Sequence, residues 1–187
     1  MQEKENILKI LEGTKASIEK DDAVTIKTLS NQTTNTVALT HDPDNIAVAV
    51  IVYSISKLLE REDYKKLPGW NEFYKTVLIC IDNTIASIKS NDEAKIKENL
   101  NNLRKSLMEV SGSLKKYIQD IFRKASINKA SKLYEHGISM EKTANLLGIT
   151  MFELASYAGQ RESVSEIPVG AGISTKARIK TAMELFR

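Results

Sequence analysis

A chain of 187 residues, 42% of them hydrophobic, can build one core of about a hundred or more residues and carry an appendage. Its formal charge of +3 is too small to single out an anionic partner, and it is evenly spread: residues 1–124 hold 19 basic and 18 acidic side chains, residues 125–187 hold 8 and 6. Three prolines, eight glycines and the single Cys80 argue against a fold of many short strands, an intramolecular disulfide and a multi-thiolate metal centre.

In chain order, the first predicted helix covers 3–20, with Ile7, Leu8, Leu11 and Ile18 on one side. The second, 23–40, carries Ile26, Leu29, Val37 and Leu39 but is interrupted by the polar run 30–36, SNQTTNT, which is expected to form a solvated face. Asp42 before Pro43 then announces a helix, the aspartate as cap and the proline at the first helical position. That helix is apolar on every side from Ile46 to Ile55, as the central helix of a bundle is. Its longest apolar run, 46–53, is far short of the roughly 20 residues of a membrane span.

Leu67-Pro68-Gly69 breaks the chain, after which Trp70, Phe73, Tyr74, Val77, Leu78, Ile81, Ile85 and Ile88 form a single helical stripe. Ser90-Asn91-Asp92 supplies a turn and a cap, so the next helix folds back antiparallel. There Ile96, Leu100, Leu103, Leu107, Val110, Leu114, Tyr117 and Ile121 recur at spacings of 4 and 3. This heptad seam predicts one helix over 92–123, roughly 48 Å long, that packs into the bundle or joins a homodimer.

From Ser126 the texture changes. Gly137-Ile138-Ser139, Gly148-Ile149-Thr150 and Gly172-Ile173-Ser174 each combine a glycine suited to a left-handed cap, an apolar packing residue and a hydroxyl N-cap. They predict helices at 140–147, from 151, and over 174–187, and Thr150 with Glu153 has capping-box spacing. The stretch 160–173 reads as a linker or lid, and the basic turn of Lys176, Arg178 and Lys180 as a packing element or a phosphate grip.

Ala144 where two helices cross, Gly148 in the turn, Ile149 after it, and Leu147, Leu154 and Tyr157 at core positions together resemble the helix-turn-helix family over about twenty residues. Thr143 departs from that pattern, standing where an apolar residue is usual. The wider segment KLYEHGISMEKTANLLGITMFELASYAG is also similar to the carboxyl-terminal region of small prokaryotic antitoxin-type proteins and of archaeal conserved proteins. The resemblance implies a recognition helix over 150–161 with Thr150, Met151, Phe152, Ala155, Ser156, Gln160 and Arg161 outward, and Lys142 beside them. Base edges are read mainly by Arg, Lys, Asn and Gln, which this helix lacks before Gln160, whereas Met151 and Phe152 suit a protein partner.

His41 and His136 stand apart and have no ligand-spaced partners, so no metal, cofactor or catalytic residue is assigned. The expectation is an all-α protein: an antiparallel helical bundle, 1–124, whose long heptad helix leads to a helix-turn-helix module, 125–187. It is read as cytoplasmic and non-enzymatic, without a signal peptide, and as either a nucleic-acid-binding regulator or a protein and ribonucleoprotein interaction scaffold.

Overall fold

Local sequence signals place most of the helix boundaries. In the computed structural model, which describes residues 3–40, 42–110 and 112–164, the described residues are all-helical: α1 Lys4–Glu19, α2 Ala23–Thr40, α3 Pro43–Leu59, α4 Glu62–Lys65, α5 Trp70–Lys89, α6 Glu93–Met108, α7 Ser113–Glu135, α8 Met140–Leu147 and α9 Met151–Val164. None of these helices is long and apolar enough to cross a membrane. Asp42 caps α3 by accepting from the Asp44 N–H at 3.0 Å, and Asp92 caps α6 by accepting from the Lys95 N–H at 3.1 Å.

Helix α3 is the axis of the bundle, as its all-round apolar character requires. Ile46, Val48, Val50, Ile51, Val52, Ile55 and Leu58 are buried, and the helix touches α1, α2, α4, α6, α7 and α8. Around it Ile7, Ile10, Leu11, Ile26, Val77, Ile81, Leu103, Leu107, Leu114 and Ile118 join one continuous core.

Two expectations are corrected. The polar run in α2 is a solvated face only in part: Gln32 and Asn35 are exposed, but Ser30, Thr33 and Thr34 are buried. Their hydroxyls are satisfied locally, Thr33 donating to the Leu29 carbonyl at 3.0 Å and Thr34 to the Ser30 carbonyl at 2.9 Å, while Ser30 donates across to the Ala49 carbonyl of α3 at 2.7 Å. Small hydroxyls that bond to carbonyls lose little on burial, and they let α2 lie close against α3.

The heptad helix is likewise two helices. α6 ends at Met108, Gly112 turns the chain with φ +74°, and α7 begins at Ser113. Gln119 reaches back from α7 to donate to the Met108 carbonyl at 3.2 Å, satisfying one of the carbonyls that the broken helix leaves open. The break resets the seam: in α7 the buried residues are Leu114, Ile118, Ile121, Phe122 and Ala125, while Tyr117 turns outward. Seam residues Ile96, Leu100, Leu103 and Leu107 are covered within the chain.

Residue 124 lies inside α7. By internal contacts Met1–Tyr157 and Ala158–Arg187 are two compact units. Residues 160–164, expected in a linker, continue α9. The rest of that linker, the predicted helix over 174–187 and His41 lie outside the described residues.

Candidate functional site

The α8–α9 unit is assembled by the devices its sequence announces. Ser139 Oγ accepts from the Lys142 N–H at 3.3 Å to cap α8, and Gly148, at φ +65°, closes that helix in the left-handed region. The Ile149 N–H then returns to the Ala144 carbonyl at 3.1 Å, as in a helix-ending turn that reverses the chain in few residues. At the start of α9 the capping box is reciprocal: the Glu153 N–H donates to Thr150 Oγ1 at 3.1 Å, and the Thr150 N–H donates to Glu153 Oε2 at 2.9 Å.

Glu153 also pairs with Arg123 of α7, whose Nε lies 2.9 Å from Oε1. The donors of Thr150 first, and then the Arg123 guanidinium, hold its carboxyl down to about 2. This carboxylate therefore stays ionised and joins the α9 start to α7 through an ion pair open to solvent. Ala144 and Leu154 are buried at the helix crossing, Ile138 packs with Leu133 and Ile46, and Leu147 is partly covered. Thr143 is fully buried too, and its hydroxyl has no hydrogen-bond partner.

These constraints decide which side chains face out. Met151 is 53% exposed and Phe152 81%, and Ala155 and Ser156 are exposed one turn further along the same helix. Thr150 is exposed, but its hydroxyl is engaged with Glu153 at 2.8 Å. Lys142 is exposed on α8. Gln160 and Arg161 lie in α9, and their side chains are outside the described residues. The structure thus brings Met151, Phe152, Ala155 and Ser156 onto one surface, a bulky apolar pair followed by a step of small residues. Among the described outward side chains of α9 there is no cation and no carboxamide to meet a base edge.

A second feature has no local signature. Lys129 of α7 is 1% exposed; its ammonium lies 3.1 Å from Asn31 Oδ1 of α2 and 4.6 Å from the centre of the Tyr53 ring of α3. Lys132 donates to the same Asn31 oxygen at 2.8 Å. Burial, with the neighbouring charges of Lys132 and Lys27 adding to it, lowers the Lys129 amine from the ordinary 10.5 to about 7. The one signal in the sequence is positional: Lys129 falls on the stripe of Phe122, Ala125, Ser126 and Leu133, all of them buried.

Among the described residues no group of three His, Cys, Asp or Glu side chains is placed to hold a metal ion. Cys80 is partly buried, and burial pushes its thiol up, away from the reactive thiolate. No protein-family model, curated protein sequence or solved structure matches the chain.

Proposed function

We propose that this is a non-enzymatic, cytoplasmic interaction protein whose α8–α9 unit docks an amphipathic helix of a protein partner. The observation that carries the reading is the adjacent exposure of Met151 and Phe152 on a helix whose other side holds buried Leu154 and the Glu153–Arg123 ion pair. An aromatic ring and a flexible thioether supply apolar contact area, and Ala155 and Ser156, one turn on, leave room for a partner backbone to approach. The single cysteine fits a reducing compartment.

A second reading, nucleic-acid binding by a helix-turn-helix, is favoured by the short left-handed turn at Gly148 between α8 and α9 and by Lys142 beside it. Fluorescence anisotropy against mixed duplex DNA and structured RNA at low and moderate salt separates the two. The interaction reading expects no salt-dependent binding at micromolar protein, together with capture of a specific partner from native cytoplasm that Phe152→Ser abolishes. Binding with a steep salt slope, lost in the Gln160→Ala, Arg161→Ala double variant, would overturn it.

A further inference from the structure

Away from the α9 surface, a cleft of about 370 Å³ opens between α3, α7 and α9, with Tyr53, Ile121, Ala125, Ile127 and Tyr157 in its walls. Lys57, Arg61 and Lys124 also line it. This volume is in the range of small-molecule sites, and a mainly apolar wall with a few charged groups is their usual make-up. The walls are held in place: the Asn128 amide donates to the Tyr157 hydroxyl at 3.1 Å, and Tyr53 has the ammonium of Lys57 at 5.6 Å and that of buried Lys129 at 4.6 Å from its ring centre.

The cleft's charge has one sign. Its three charged lining residues are all cations, and buried Lys129, its amine lowered to about 7, adds a partial positive charge beside Tyr53. Two carboxylates are already engaged at the rim, Glu60 with Lys57 at 2.6 Å and Asp120 with Lys124 at 2.7 Å. Such exposed pairs are weak, so a ligand anion that is partly shielded from water can compete for the same cations. Arg61 sits 5.9 Å above the Tyr64 ring, which orients its guanidinium at the cleft edge.

We propose that this cleft binds a small aromatic anion, its planar body between the Tyr53 and Tyr157 walls and its acidic head on Arg61, Lys57 and Lys124. Apolar walls account for the planar body and the three lining cations for the acidic head. The site does not depend on the partner-docking reading, because none of its residues belongs to the exposed α9 surface.

The test is titration of the full chain with 1-anilinonaphthalene-8-sulfonate, followed by displacement with 2-naphthoate, 2-naphthyl phosphate and the neutral 2-naphthylmethanol. One saturable site of micromolar affinity is expected, with both anions displacing the dye at least about tenfold better than the alcohol. Which anion displaces better tells a carboxylate head from a phosphate head. Arg61→Glu and Lys124→Glu, both at exposed positions, are expected to weaken each anion at least about fivefold, while Lys75→Glu, exposed on α5, leaves it unchanged. Equal displacement by the alcohol, or equal weakening by all three charge reversals, would overturn the assignment.

Discussion

Helices α2 and α9 each bury and expose side chains against the order that hydrophobicity alone sets. The polar run of α2 has three residues buried, Ser30, Thr33 and Thr34, whereas α9 carries Met151 and Phe152, which are left in water. Hydrophobicity alone ranks these segments in the wrong order. Burial in α2 goes with hydroxyls that bond to carbonyls and need no water, whereas in α9 the buried position is taken by Leu154, which leaves Met151 and Phe152 on the other side. Apolar side chains left outward on a folded helix are the ones available to a partner.

The largest expected effect tests the α2 side. Ser30→Leu raises local hydrophobicity, yet it should destabilise the fold by about 1–3 kcal/mol in urea titration, because a larger side chain enters a filled contact and the bond to Ala49 is lost. An unchanged midpoint would mean that α2 is not pressed against α3.

Lys129→Met sharpens the contrast, since it removes a cation that is buried as deeply as these hydroxyls. With its folded-state amine near 7 and an ordinary value of 10.5, the unfolded chain holds a proton between those limits that the folded protein lacks. Its burial therefore destabilises most at and below pH 7 and is relieved as the pH rises toward 10.5. The variant should be more stable than wild type by about 1–3 kcal/mol at pH 6 and should lack the rise in stability above pH 7. Lys132 still serves Asn31 in that variant. A variant less stable than wild type at pH 6 would show that the Asn31 and Tyr53 contacts outweigh the desolvation.

Thr143 differs from the α2 hydroxyls in lacking a partner. Thr143→Val keeps the shape and removes the unsatisfied group, so thermal unfolding should show a gain of about 1 kcal/mol, while the same exchange at Thr34 should show none. The smallest effect is Phe152→Ser, expected to move stability by less than about 0.5 kcal/mol, because the ring covers little of the core. A loss above about 1 kcal/mol would mean that Phe152 is packed within the protein and would remove it as a docking residue.

The elements that rest on neighbouring residues are legible in the amino-acid sequence. Asp42-Pro43 at the start of α3, Asp92 before α6, Gly148 closing α8 and the Thr150–Glu153 box all act within one helical turn, so the sequence displays both partners of each interaction. The exposed set Met151, Phe152, Ala155 and Ser156 is reached through the helix-turn-helix resemblance. The break at Gly112 is harder to read, because apolar residues in heptad spacing continue across it and only the backbone shows the turn.

By itself, then, the sequence determined the all-helical make-up of the described residues and the central place of α3, because helix caps and 3.6-residue periodicity are local physics. Only the tertiary structure decided that Ser30, Thr33 and Thr34 are core, that Lys129 meets Asn31 nearly a hundred positions away, and that Tyr53, Arg61, Lys124 and Tyr157 line one cleft. Those facts depend on which helices lie side by side, and that is set by the summed packing of the whole chain, which no single stretch encodes.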